Sequence, residues 1–499
     1  MTLATQIASA QSSLRPEFHF TPQYGWMNDP NGLVYFEGEY HLFYQYFPEG
    51  LEWGPMHWGH AVSTDLVHWD HLDTALYPDE QGMCFSGSAV VDHNNSSGLF
   101  DGQSGLLTFY TVHRLTGPGK EDYVQEQCMA FSKDKGRTWE KYAGNPIIPA
   151  PDFRDFRDPK VIWHAASEAW IMSVACGQTI QFYRSENFKD WEFASEFGDA
   201  QGAHTEGPWE CPDLFELPVE GGTGSRWVLV VGVGAGEDDW GSFTQYFLGD
   251  FDGFKFHNEN AGDKVLLVDE GRDFYAVQSW SDTPNDRRLV IAWANNWLYA
   301  DQVPEDGWRG MMTLPREIRL EETSDGPRLA HSFAAEVYSA CLPEQSEQIS
   351  MELKSGDQWE CIQSKPQASF IHSSLELVLS DDADIDVCLA GTADAVLNIT
   401  KDQSGYQVKH KRKGENVSER FDRYFPSDFS LPVISKEKLQ LELCYDRGIL
   451  ELLVDGGIYS ITSLQAEGIS LSGDERKLSL VAKKGTVDLD VKTAAPFER

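Results

Sequence analysis

Three short stretches of the chain each set a carboxylate beside proline and an aromatic ring. They are "WMNDPNG" (26–32), "DFRDFRDPK" (152–160) and "GPWECPDLFELP" (207–218). The first packs Asp29 between Asn28 and Pro30, more than a turn alone requires. In the second, Arg157 precedes Asp158, and an adjacent guanidinium lowers a carboxyl pKa and keeps it ionised. In the third, Glu210 lies between Trp209 and Cys211, a setting that desolvates a carboxyl and raises its pKa toward that of a general acid. Such a set suits glycoside cleavage, where one carboxylate attacks or activates water and another protonates the leaving oxygen. The same oxygens could hold a cation such as Ca²⁺, but no EF-hand spacing supports that. Plainer readings exist for each: an Asx turn at Asp29, a surface ion pair at Asp158, and an edge-strand Glu at 210 that Pro212 would also fit.

The elements that must position these groups read as strands. "LVYF" and "YHLFYQYF" flank "EGE" as a hairpin, with Asp29 in a loop that opens it. "SAVVD", "LLTFYTV", "KVIW", "AWIMSVA", "TIQFYRS", "RWVLVVGVG", "DFYAVQSW" and "RRLVIAW" continue the series, rich in aromatic and β-branched residues as strands prefer. A degenerate phrase recurs: "STDLVHW" ending at Trp69, "SKDKGRTW" at Trp139, "SENFKDW" at Trp191 and, more weakly, "GDFDGFKF" at Phe256. Each is a strand end, a polar turn and an aromatic that opens the next strand. A repeat of roughly 50–70 residues is near the size of one propeller blade with insertions. Loops and inner strand starts of different blades converge on a propeller's central channel, which would gather the three carboxylates. After about residue 325 the pattern changes to alternating strands with "DRG" and "DGG" turns, which suggests a β-sandwich.

In that order, "WMNDPNG", "FRDP" and "WECPDLF" resemble the three signature motifs of glycoside hydrolase family 32, which contains invertases, levanases and exo-inulinases. "FYQYFP", "WGPMHWGHAVSTDLVHW", "FSGSAV", "DFYAVQSW" and "GWRGMMTLPRE" are similar to the family as well. The resemblance is strong from residue 17 to about 320; beyond it only "CYDRGILELLVDGG" looks familiar. It implies an all-β chain: a five-bladed β-propeller over 17–325, a linker over 326–345 and a β-sandwich over 346–499. It also implies a retaining β-fructofuranosidase that releases terminal fructose from sucrose, fructo-oligosaccharides or fructans. Asp29 would be the nucleophile, Glu210 the acid/base, and Asp158 the residue that holds sugar hydroxyls and stabilises the transition state. Asn28, Gln45, Trp53, Phe85, Ser86 and Arg157 match positions lining the fructosyl pocket, and Trp26 and Trp297 would complete its wall. No metal or cofactor is implied. The Leu51-Glu52 pair stands where many members carry a small polar residue, and this segment borders the pocket.

A fructosyltransferase of the same family would share every catalytic residue, while a non-catalytic fructan-binding protein would be expected to lose Asp29 or Glu210. The net charge of −39, from 40 basic and 79 acidic residues, argues against nucleic acid and anionic membrane as partners and leaves a neutral or cationic ligand; the resemblance implies a fructoside, small or oligomeric. The eight cysteines form no CxxC pair, which suits reduced thiols in a cytoplasmic protein rather than zinc ligands or a disulfide scaffold. The N-terminal stretch lacks the basic start and long apolar run of a signal peptide; a secreted protein is the alternative. Without such a signal, the acceptor patterns at Asn95, Asn398 and Asn416 read as chance matches.

Overall fold

The computed structural model describes residues 15–493 except 120–121, 237–239, 342–346, 363–369, 390–395, 415–416 and 466–476. Asn416 and the N-terminal stretch 1–14 lie outside the described residues.

Five groups of antiparallel strands make the first part of the chain. Blade I is Gly25–Phe36, Glu39–Phe47, His57–Ser63 and Asp70–His71; blade II is Met83–Asp92, Gly105–Leu115, Tyr123–Ser132 and Glu140–Lys141. Blade III is Phe156–His164, Ala169–Cys176, Thr179–Ser185 and Glu192–Phe197; blade IV is Trp209–Glu220, Ser225–Val233, Phe243–Phe251 and Phe256–Asn258. Blade V is Tyr275–Ser279, Leu289–Trp293, Arg316–Thr323 and Gly326–Phe333, and its third strand joins the end of blade IV's first in parallel. The first strands touch in a closed ring, I to II to III to IV to V and back to I. They therefore line the central axis of a five-bladed propeller.

The recurring phrase has one structural meaning. In blades I to IV it is the turn between the third and fourth strands. Asp65, Asp134, Asn187 and Asp252 cap that turn by accepting backbone N–H groups. A residue with positive φ follows, for instance Leu66 at 63° and Phe188 at 65°. Trp69, Trp139 and Trp191 then each donate their indole N–H to the carbonyl three residues back, at 2.9–3.1 Å. Blade V replaces this with a tight hairpin at Thr323–Gly326, where Gly326 has φ 92°.

Residues 326–333, expected as linker, are thus the outermost strand of blade V. A half-exposed strand after "SDG" lacks the aromatic run that marked the others. A short helix, Ala335–Cys341, follows, and the sandwich begins at Glu347. Its two six-stranded antiparallel sheets alternate buried and outward residues, as in Asp384–Leu389, and enclose a core that includes Leu375, Leu377, Ile385, Val387, Leu441, Leu443, Leu450 and Leu452. The described cysteine side chains are free thiols, four of the six buried.

The sandwich is fixed to the propeller by buried charge. Glu451 accepts from Arg316 Nε at 2.8 Å and from the Leu314 N–H at 2.6 Å, and it contacts His19 Nε2 at 2.9 Å. Asp446 takes His19 Nδ1 at 2.9 Å and two backbone N–H groups of residues 17 and 18. Arg316 also donates to Asp269, which receives the Thr462 N–H at 2.8 Å. Ions buried this way are tolerated only when fully partnered.

Candidate active site

Each of the five first strands breaks register with its neighbour near the same end. The breaks fall between Met27 and Pro30, between Phe85 and Gly87, opposite Arg157 and Lys160, between Glu210 and Asp213, and between Tyr275 and Gln278. A bulge frees residues from the ladder and re-aims their side chains. Proline, which has no N–H to give, is tolerated there, which accounts for Pro30, Pro159 and Pro212. Asp158 (φ 63°), Cys211 (φ 49°) and Ala276 (φ 52°) adopt left-handed backbone within these breaks, a strained state that rigid surroundings must hold. Asp29, expected in a loop, therefore sits on a bulged strand, as do Asp158 and Glu210.

The bulges bring the three carboxyls to the floor of one cleft, open to solvent. Asn28, Gln45, Trp53, Phe85, Ser86, Arg157 and Trp297 line it with them. Trp26 does not: it is buried, stacks near Trp297, and donates its indole N–H to Asn28 Oδ1 at 2.8 Å. Asn28 in turn donates to Asp29 Oδ1 at 3.1 Å. Trp26 thus orients an amide behind the site rather than walling it. Gln45 donates to Asn31 Oδ1 and to the Cys84 carbonyl, both at 3.1 Å.

Asp29 Oδ2 accepts from Ser86 Oγ at 2.7 Å and from the Cys211 thiol at 3.6 Å. Burial raises the Asp29 carboxyl above its ordinary 3.8 and the charge of Glu210 adds to this; the donors Ser86, Asn28 and Cys211 pull it back. Asp158 Oδ2 accepts from the Cys211 backbone N–H at 3.0 Å and from its thiol at 3.6 Å. Burial pushes Asp158 up to about 7; Arg157 opposes this, while Glu210 and Asp29 reinforce it. Arg157 does depress Asp158, but burial outweighs it and the net shift is upward rather than downward. The guanidinium Nε is 4.0 Å from Asp158, and its Nη groups go elsewhere: to Asp155 at 2.6 Å and Glu210 at 2.9 Å.

Glu210 is held by residues distant in sequence. Arg157 donates to Oε1, and the Tyr275 hydroxyl donates to Oε2 at 2.6 Å. Its sequence neighbours face away: Trp209 is buried and donates to the Ala203 carbonyl, and Cys211 serves Asp29 and Asp158. Tyr275 lies in the quoted "DFYAVQSW", but an aromatic in a strand carries no mark that separates it from core. His113, Tyr123, Gln125 and Asp155 also line the cleft and were not anticipated.

Trp53, nearly half exposed, meets Phe85 edge-on at 6.0 Å. Its loop wraps the Phe47 ring so closely that a Cβ at Gly50 or Gly54 would come within 2.6 or 2.5 Å of it. Arg309 donates to the Leu51 carbonyl and ties the same loop to the segment before blade V's third strand. The departure noted at Leu51-Glu52 therefore falls on the mount of Trp53. Among the described residues, no group of three or more His, Cys, Asp or Glu side chains is placed to hold a metal ion.

A five-bladed propeller with a three-carboxylate floor and an attached β-sandwich defines a class of carbohydrate-active fold. Residues 19–331 match the glycosyl hydrolases family 32 N-terminal domain, and the chain belongs to that family. It is 54% identical to the levanase of Bacillus subtilis (strain 168) over 346 residues, which is 68% of this chain and 50% of the levanase. The chain thus spans about half the length of that relative. Its fold is similar to the exo-inulinase of Aspergillus awamori, with TM-score 0.83 and 32% identity over 97% of this chain and 99% of the other. The fructofuranosidase of Schwanniomyces occidentalis, solved in complex with fructosylnystose, gives TM-score 0.82 and 31% identity over 98% and 99%.

Proposed function

We propose that the chain is a retaining β-fructofuranosidase that removes terminal fructose from sucrose, fructo-oligosaccharides or fructans by double displacement. The observation that carries this reading is the convergence of Asp29, Asp158 and Glu210, from three blades, on one cleft floor with separate hydrogen-bond supports. The family and the fructoside bound to the S. occidentalis relative support the sugar class.

An oxygen of Asp29 attacks the anomeric carbon of the terminal fructosyl unit. The bond from that carbon to the leaving sugar breaks, and Glu210 gives its proton to the departing oxygen. Water then attacks the same carbon, passes a proton to Glu210, and releases Asp29. Ring hydroxyls donating to Asp158 favour its ionised form, which faces the cation-like ring in both transition states. Ser86, Asn28 and Cys211 hold the nucleophile in place, so its alignment is set before substrate arrives.

Each displacement inverts the anomeric centre, so the first product is β-fructofuranose. NMR of the reaction before mutarotation tests this; α-fructose appearing first would make Asp29 a general base and overturn the proposal.

A further inference from the structure

His113 lies on the second strand of blade II, opposite Met83 at the mouth end of the first. Its ring is parallel to Phe85, with centroids 4.4 Å apart and planes at 6°, and Tyr123 packs on it at 4.7 Å. The side chain is held flat and only 8% of the residue is exposed, yet it lines the cleft.

A chain of hydrogen bonds decides which ring nitrogen carries the proton. The Phe156 backbone N–H, which can only donate, reaches Gln125 Oε1 at 2.8 Å. The Gln125 amide is thereby oriented with its NH₂ toward His113 Nδ1, at 3.2 Å. An NH₂ group can only donate, so Nδ1 must present its lone pair and the proton sits on Nε2. Burial and the nearby Arg157 lower His113 to about 4 against the pull of Asp155, so the ring is neutral at ordinary pH. No acceptor for the Nε2–H exists among the described residues.

The location of the donor indicates what it meets. The groups placed to act on the bond being broken sit at the level of the bulges: Asp29, Ser86, Asp158 and Glu210. Met83, opposite His113, is three residues nearer the mouth than Ser86. The imidazole itself lies flat on Phe85, so it stands between the mouth and the level of Ser86, on the path of a sugar joined to a fructosyl unit seated over Asp29.

The geometry points to His113 as a specificity-determining residue whose Nε2–H donates to a hydroxyl oxygen of the sugar next to the fructosyl unit being released. The assignment rests on the cleft being a fructoside-cleaving site. It gives the sequence Phe156-Arg157-Asp158 a double use: the side chains of Arg157 and Asp158 serve the reacting centre, and the Phe156 backbone sets the proton on His113.

The test compares kcat/KM on 1-kestose with kcat/KM on methyl β-D-fructofuranoside, which has no second sugar. His113→Phe keeps a flat ring against Phe85 and removes both nitrogens. One lost hydrogen bond predicts that the ratio of the two values falls about tenfold, chiefly through KM on kestose. His113→Gln, which restores an N–H at similar reach, should recover part of that ratio. His113→Asn, smaller and lacking the Nε2 position, carries the same test should the phenylalanine not be accommodated. A ratio within twofold of wild type, or an equal loss on both substrates, overturns the assignment while leaving the cleft's function intact. Wild-type protein inert on both substrates would sink the underlying reading and this proposal with it.

Discussion

His19 offers the sharpest test of how the sandwich is held. The imidazole is wholly buried between Asp446 and Glu451, with each ring nitrogen 2.9 Å from a carboxylate oxygen. Burial alone would depress its pKa, but hydrogen bonds and charge from the two carboxylates outweigh that and raise it from 6.5 to about 9. A group whose folded pKa is raised contributes stability in full below its unfolded value and loses it as pH rises through the folded one. The whole contribution is about 3 kcal/mol. At pH 7.5 about 2 kcal/mol of it should remain, and at pH 9 less than about 0.5 kcal/mol.

His19→Gln removes the titrating charge and keeps a polar side chain of similar reach. Urea unfolding of both proteins at 25 °C, at half-unit steps from pH 7.5 to 9, gives the difference in stability. The wild type should lead by about 2 kcal/mol at pH 7.5, with the gap closing to a few tenths by pH 9. Asp158 and Glu270, both pushed up to about 7, titrate below this window and are common to both proteins, so they cancel. A gap that stays flat or widens toward pH 9 would show that His19 is neutral in the folded protein and that the clamp is an ordinary hydrogen-bonded cluster.

Asp29→Asn should lower turnover by several orders of magnitude, because the attacking charge is gone. It should not lower the melting temperature at pH 7: a carboxyl raised by burial opposes folding once ionised, so removing it is neutral or stabilising. Ser86→Ala should move the acid limb of the kcat/KM profile to higher pH, since Ser86 donates to the ionised Asp29 and holds its pKa down; an unmoved limb would detach that limb from Asp29. Glu210→Ala should cripple sucrose cleavage yet spare a fructoside with a good leaving group, and azide should restore turnover. Equal losses with no rescue would give Glu210 a binding role.

The legible parts of the chain were those with a local cause. Ser63-x-Asp65 and Ser185-x-Asn187 build the same capped turn, so the repeat ending at Trp69, Trp139, Trp191 and Phe256 marks four real blade turns. Blade V carries no such mark because its hairpin needs no aromatic, and its last strand, Gly326–Phe333, reads as linker in the sequence. The bulges were not legible: a register break is a relation between two strands, and the prolines alone suggested loops. Glu210 was matched with the wrong neighbours for the same reason. The left-handed backbone at Cys211 sends its thiol to Asp29 and Asp158, while Tyr275 and Arg157 reach Glu210 from other blades. His113 and Tyr123 read as ordinary strand aromatics, and only the packing shows that one edge of the histidine stays open.

Chemistry and selectivity are held by different parts of this fold. The reacting groups stand on first strands, and their bulges are locked from below. Lys160, buried, donates to Asp213, to Gln278 and to the Ser279 carbonyl, and Gln278 donates to the carbonyls of Cys211 and Pro212. Blades III, IV and V are thus tied together directly beneath Asp158 and Glu210, which keeps the catalytic spacing rigid. The rim is built from other elements. Trp53 rides a loop strapped over Phe47 and held by Arg309, Trp297 lies between the second and third strands of blade V, and His113 and Tyr123 stand on the middle strands of blade II. Substitutions at Trp53, Trp297, His113 or Tyr123 can alter which sugars are accepted without moving a bulge, because among the described residues these four supply no hydrogen bond to the floor carboxyls. Arg157 is the exception. It faces the rim through Asp155 and the floor through Glu210, so the ion pair with Asp155, itself held by the Tyr123 hydroxyl at 2.8 Å, is a path by which a change at the mouth reaches the acid/base.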